Sequence, residues 1–219
     1  RTSHPDSLGH AQLAADQLGV ELRVEEISEQ VDAYFARHES HTPLFLEMPR
    51  EFLKYLEEER GPVEGDPPFQ LELAHYEWVE LALSIDEREP ELAGIDRQGD
   101  LLAGRPVLTP LRWSLRYRFP VHRLGPDYQP EQPPERPTLL LVHRDLSGRV
   151  GFIEINIVTA RLLELLGDQT RRSGRECLEH IAREMSHPKP EAVIDGGREI
   201  LEGLREREVI LGTGDALDQ

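Results

Sequence analysis

The sequence predicts an α+β chain, with an N-terminal helical bundle followed by a domain built around a small antiparallel sheet. Three observations predict it. Apolar residues step by three or four along much of the segment 1–90. Side chains alternate with a period of two around Trp113–Phe119 and again from Val150 to Ile157. That second alternation runs straight into three helical stretches and a short apolar strand ending at Leu211.

The elements follow in order. Ile27, Val31, Tyr34 and Phe35 recur at helical spacing behind Ser28, and this helix is expected to end near His38. Thr42–Met48 reads as extended or irregular. Pro49 then suits a first helical residue, because its missing amide has no helical partner there, and Phe52, Leu53 and Leu56 form the expected buried stripe. The prolines and glycines of Gly61–Pro68 stop that helix. The longest helix is expected from Phe69 to Glu87, with Leu71, Ala74, Trp78, Leu81, Ala82 and Ile85 inward and Glu72, Glu77, Glu80 and Glu87 solvated.

Segment 91–137 reads as a connection carrying one amphipathic strand. Trp113, Leu115, Tyr117 and Phe119 alternate there with Arg112, Ser114, Arg116 and Arg118, and a proline-rich loop follows. Thr138–His143 is an apolar strand, Asp145–Gly148 supplies turn residues, and Arg149–Ile157 returns antiparallel. Gly151, Ile153, Ile155 and Ile157 share one face of the return strand; Val150, Phe152, Glu154 and Asn156 share the other. Thr159 is the expected cap of a helix Ala160–Leu166 that stops at Gly167. Hairpin, three short helices and terminal strand make 138–219 a winged-helix-like unit, able in principle to read DNA or a peptide. The expected organisation is therefore 1–90, 91–137 and 138–219, with the first domain N-terminally incomplete.

Bulk properties narrow the function. The formal net charge is -17 over 219 residues, distributed as -16 for 1–100, +3 for 101–137 and -4 for 138–219. Phosphate contacts need a basic face, so this balance argues against nucleic acid. The single cysteine, Cys177, excludes an internal disulfide and a thiolate-rich zinc site. No apolar run approaches the roughly 20 residues that span a bilayer, and no signal peptide is visible. A cytoplasmic setting fits.

Few constellations carry chemistry. Glu72 and His75 form an E-x-x-H on the long helix, a spacing used in carboxylate-bridged di-iron bundles, but no second copy exists. His38 and His41 flank Ser40 at a helix end, where exposed histidine is the commoner case. Cys177 and His180 could pair as nucleophile and base in a cleft, although a cysteine beside Leu178 and Ile181 reads more simply as a small buried hydrophobe. Gly212 and Gly214 lack the helix and lysine of a phosphate loop. The arginines at 112, 116 and 118 could meet acids of the helical half or an acidic partner. No catalytic residue and no metal ligand is assigned.

Three runs carry a family likeness: PLFLEMPREFLKYLEEER from Pro43, FQLELAHYEWVELAL from Phe69 and YRFPVHRLGPDY from Tyr117. Together they resemble the HvfC-type proteins from about Ala33 to Leu211, a family whose N-terminal domain is catalogued as DNA-binding. The resemblance implies an accessory protein for ribosomally made, post-translationally modified peptides. Its implied partner is a barrel enzyme with a multinuclear iron centre that oxidises cysteines of a precursor peptide, the iron residing in that enzyme and no cofactor in this chain. The C-terminal order also resembles the winged-helix peptide-recognition elements of peptide-maturation pathways, in which a leader peptide adds as a strand and rests on the third helix. That likeness points to Arg149, Val150, Phe152, Glu154, Asn156, Ile200, Leu204 and Arg205 as peptide contacts. Candidate contacts to the enzyme are His75, Tyr76, Trp78, Arg116, Arg118 and His122. Two rivals remain from other classes. One is a DNA-binding regulator that reads with Glu191–Arg207, whose charges sum to -2; the other is a metal enzyme built on Glu72 and His75.

Overall fold

A computed structural model describes Tyr34, residues 48–168 and residues 170–214. The chain partitions into two compact units: the chain up to Trp78 together with Tyr117–Pro137, and Val79–Arg116 together with the chain from Thr138 onward. The segment 91–137 thus contributes to both units rather than to one connection.

In the first unit, helix α1 (Met48–Lys54) continues as a π-helical turn over Tyr55–Arg60. Tyr55 and Leu56 are buried with Tyr34, and Phe52 packs against them. The Tyr34 ring stands edge-on to Phe52 and Tyr55, each at 5.5 Å between centroids. Gly61, at φ 64°, ends the turn in a conformation that side-chain-bearing residues avoid. The proline-rich loop beyond it is closed by Asp66, which accepts from both Nη atoms of Arg60 at 2.6 and 2.8 Å and from the Val63 amide at 2.9 Å. The remaining residues of the expected helix Ile27–His38, the Thr42–Glu47 stretch and His38, Ser40 and His41 lie outside the described residues.

Helix α2 (Gln70–Ser84) is shorter than expected, and its buried face is rotated. Val79 and Leu83 are fully buried, whereas Leu71 and Ile85 are exposed at 41% and 42%. Apolar residues cover a broad arc of this helix, so periodicity alone could not choose the inward side. Its end is set from a distance. The buried Arg144 donates to the carbonyls of Leu83, Ser84, Asp86 and Arg88, at 2.7–3.2 Å, taking up acceptors that the helix terminus leaves without partners.

Two three-stranded antiparallel sheets shape the second unit. β1 (Ile95–Asp96) and β2 (Arg105–Leu108) flank the terminal strand β6 (Ile210–Gly214) in the order β1-β6-β2. Both are strands that the sequence reading assigned to irregular connection. They have two and four residues, and their partner lies more than a hundred positions away, so no local period reports them. Pro106 is accommodated because β2 is an edge. Gly212 sits at φ 145°, and a Cβ there would stand 2.4 Å from the Asp96 carbonyl oxygen. The Gly-x-Gly of this strand therefore serves close strand packing.

The second sheet has the order β3-β4-β5, from β3 (Arg112–Tyr117), β4 (Thr138–Arg144) and β5 (Val150–Glu154). The central β4 is buried along almost its whole length, which accounts for its unbroken apolar run. Asp145 makes the β4–β5 turn, accepting from the amides of Ser147 and Arg149 at 2.9 Å while Gly148 takes φ 85°. The Ser147 hydroxyl, which donates to the same carboxylate at 2.6 Å, does most to hold the Asp145 carboxyl down at about 2, and the two amides add to it.

β5 ends at Glu154, three residues before the expected limit, because Asn156 rather than Thr159 begins the helix. The Asn156 side-chain oxygen accepts from the Thr159 amide at 2.8 Å and its hydroxyl at 3.1 Å. Helix α3 (Ile157–Gly167) consequently starts at Ile157, which is 72% exposed instead of facing the core. Helix α4 (Gly174–Glu184) opens with a reciprocal capping box between Ser173 and Glu176, and α5 (Pro190–Glu206) opens on Pro190. The core joins Leu141 of β4 to Leu162 and Leu163 of α3, Leu178 and Ile181 of α4, Ile194 and Leu201 of α5, and Ile210 of β6. Glu208 holds a left-handed backbone (φ 58°) between α5 and β6, where its carboxylate accepts from Arg97 at 3.0 Å and from the Leu146 amide at 2.7 Å. The terminal strand thus completes a sheet with β1 and β2 and does not extend the hairpin. The unit is α+β.

Candidate functional site

β5 is an edge strand, and register decides which of its backbone groups face outward. Leu140 pairs with Glu154, Val142 with Phe152 and Arg144 with Val150, while the Ile155 amide donates to Leu139 and the Asp145 amide donates to Arg149. In an antiparallel pair the narrow hydrogen-bonded pairs alternate with non-bonded ones, so odd-numbered residues of β5 exchange bonds with β4. The amides and carbonyls of Val150, Phe152 and Glu154 therefore point away from β4. Ile153 and Ile155 pack on the core, which leaves the side chains of these three residues on the opposite face.

The other peptide-contact candidates fall elsewhere. Arg149 is exposed and bound to Asp145 and Ser147 in the turn at 3.0–3.1 Å. Asn156 is engaged as the helix cap. Ile200 packs against the core, Leu204 is buried, and Arg205 donates to the Gly99 carbonyl at 2.9 Å and pairs with Glu202. α5 packs chiefly on α4 and β6. Val150, Phe152 and Glu154 thus share one side of β5, while Ile200 and Leu204 serve the core and Arg205 holds the Gly99 carbonyl.

In the first unit a cluster forms around Tyr117. His75 Nδ1 lies 2.9 Å from the Tyr117 hydroxyl, and the His75, Tyr76 and Trp78 rings gather within 5.6–6.5 Å of one another or of Tyr117. Burial pulls the His75 pKa down, against the opposing pull of Glu57 and Glu72, and burial pushes the Tyr117 hydroxyl up. Glu72 is not a solvated surface acid. Its carboxylate accepts from the amides of Arg118 and Phe119 at 3.1 and 2.9 Å and from Arg118 Nε at 3.0 Å. The E-x-x-H spacing therefore pins the residues beyond β3. His122 sits in a 3-10 turn (Val121–Arg123) and accepts from Arg123 Nε at 3.2 Å. Arg116 is exposed, and Arg112 is half-buried beside Gly167 at the end of α3. The arginine row is divided among three surroundings. Among the described residues, no group of three or more His, Cys, Asp or Glu is placed to hold a metal ion.

Cys177 is buried and its thiol is pushed up to about 11, chiefly by desolvation. His180 turns to Glu184 at 3.1 Å. No thiolate forms near neutral pH in such a setting. The native chain is expected to resist an aromatic disulfide reagent and to release one equivalent of thiol only on unfolding; rapid labelling of folded protein contradicts this.

His143 is buried beneath Gly151, its Nδ1 without a partner, and burial lowers its pKa as it does that of His75. With native pKa values below the unfolded value of about 6.5, the unfolded chain binds more protons as pH falls through that value. The urea midpoint should therefore drop on acidification below about pH 6.5, and His143→Phe should weaken that dependence. An unchanged midpoint in this range contradicts the placement of both rings.

The described chain is thus a two-unit α+β protein with β5 at the end of a three-stranded sheet in one unit and a histidine-aromatic cluster in the other. Residues 109–205 match the family model of the HvfC C-terminal domain. The match covers less than half of the chain and supports an HvfC-type domain over that segment. No curated protein matches the chain. No helix among the described residues is long and apolar enough to cross a membrane.

Proposed function

We propose that the chain is a non-catalytic accessory subunit that binds a precursor peptide on β5 and presents it to a barrel-type, iron-dependent enzyme for oxidative cysteine modification. The observation that carries this reading is the match of residues 109–205, a segment that contains β5, to the HvfC C-terminal domain, with β5 at the end of the order β3-β4-β5 among the described residues. An extended peptide that adds there gains main-chain hydrogen bonds irrespective of its sequence, and neighbouring side chains supply selectivity. The matched HvfC domain supports the accessory role. In this reading the winged-helix-like arrangement is functional through its strand edge. His75, Tyr76 and Trp78, with Arg116, Arg118 and His122, are the proposed enzyme contacts, and the iron belongs to the enzyme.

The test is co-expression with a barrel-type, iron-dependent enzyme and a cysteine-containing precursor peptide. The account expects chain and enzyme to co-elute at micromolar concentration, with the precursor retained. Separate elution, with no bridging by the precursor, overturns it.

A further inference from the structure

His143 is only 6% exposed, on the same side of β4 as the core residue Leu141, and its Nδ1 has no hydrogen-bond partner. The ring fits because the residue paired with it on β5 is Gly151, where a Cβ would stand 3.1 Å from the imidazole Nε2. A neutral ring can leave Nδ1 as a bare acceptor. A protonated ring cannot, since Nδ1 then carries a donor and the ring a charge in a place closed to solvent.

The charged groups that face this ring are Asp145 in the turn and Arg207 and Glu208 just beyond α5, while Gly151 of β5 brings none. Arg207 opposes a charge on the ring, and the two carboxylates favour it. They are not equally free to answer it. Asp145 already accepts from the Ser147 hydroxyl at 2.6 Å, from the amides of Ser147 and Arg149 at 2.9 Å and from Arg149 Nε at 3.1 Å. Glu208 accepts from Arg97 at 3.0 Å and from the Leu146 amide at 2.7 Å. Its backbone is left-handed at φ 58°, which a residue with a side chain adopts at a cost, so these two bonds hold it against its own preference. Glu208 is therefore the group that moves.

We infer that His143 is a proton-operated latch: a proton taken up from solvent at Nδ1 draws the Glu208 carboxylate to the ring, away from the Leu146 amide and Arg97. The β4–β5 turn and the entry to β6 then loosen together, because Glu208 is what ties Leu146 to the start of the terminal strand. The packed helices α3, α4 and α5 stay folded, since their contacts involve none of these groups. The latch is independent of what β5 binds.

Histidine ring and backbone amide resonances of the labelled full chain, followed from about pH 7.5 to about pH 5, test the latch. The Leu146 amide should shift with the same midpoint as the His143 ring, and its solvent exchange should rise about tenfold beyond the intrinsic effect of pH. The amides of Ser147 and Arg149, held by Asp145, should change little, and those of Leu178 and Leu201 in the helical core should stay protected. His143→Phe replaces an unsatisfied polar ring with an apolar one and should abolish the Leu146 response. Glu208→Gln keeps an acceptor for the Leu146 amide without the charge, so the His143 midpoint should fall and Leu146 should no longer follow it. A ring that titrates without moving Leu146, a ring still neutral at about pH 5, or a Leu146 response that survives either substitution overturns the latch. So does a loss of protection at Leu178 and Leu201 together with Leu146, which is global unfolding. Should His143→Phe fail to fold, Glu208→Gln decides by itself.

Discussion

Arg144→Ala is expected to lower unfolding stability by about 3–5 kcal/mol, the range for stripping a buried, fully bonded charge of its network. The side chain is 8% exposed and serves the carbonyls of Leu83 and Ser84 at the end of α2 and of Asp86 and Arg88 just beyond it. Without it, those acceptors must find water in a buried site, and each orphaned group costs about 1–3 kcal/mol before relaxation. Arg149→Ala is the matched control. That side chain is 83% exposed and bonded only within its own turn, so its loss should cost no more than about 1 kcal/mol. Urea unfolding of both variants decides the point, and equal midpoints would show that Arg144 does not hold the helix end.

Gly174→Ala should be a strongly destabilising single-methyl addition. A Cβ at this position would lie 2.1 Å from the Leu101 carbonyl oxygen and 3.0 Å from the Leu201 side chain. The obstructing atom is backbone, so relief requires displacing either α4 or the Leu101 segment. Overpacking of this kind costs about 1–3 kcal/mol. Elsewhere in a helix, replacing glycine by alanine gains up to about 1 kcal/mol. Gly196→Ala, where a Cβ meets nothing within 4 Å, is the contrasting variant and should be neutral or stabilising. Thermal melts of the pair separate contact from propensity.

What could be read from the sequence follows from the range of the forces involved. β3, β4 and β5 were legible because the Trp113–Tyr117 alternation and the unbroken Leu139–Val142 run are local records of one-sided and two-sided burial. The hairpin turn was legible in Asp145 and Gly148. β1 and β2 were not, since their pairing with β6 is long-range and leaves no period in such short segments. Competition between caps hid the start of α3. Asn156 and Thr159 are both good capping residues, and only the structure shows Asn156 accepting from Thr159. That choice turns Ile157 outward, away from the face it was expected to share with Ile153 and Ile155. Asn156 three residues before Thr159 was the available signal.

The candidate site divides in the same way. The alternation of β5 correctly grouped Val150, Phe152 and Glu154, yet whether their amides face a neighbour or solvent depends on β4 register, which side-chain pattern does not encode. Glu72 read as a solvated acid because its partners, the amides of Arg118 and Phe119, lie more than forty residues further along the chain.

The account rests on strand addition at β5, and backbone amide spectra test it most directly. In a nitrogen-15 labelled sample of the whole chain, the amides of Val150, Phe152 and Glu154, which point away from β4, are followed. Adding the precursor peptide should shift and protect these three amides, while the inward amides of Gly151 and Ile153, already bonded to β4, change little. Protection that leaves Val150, Phe152 and Glu154 untouched, or that appears only on α5, would contradict it.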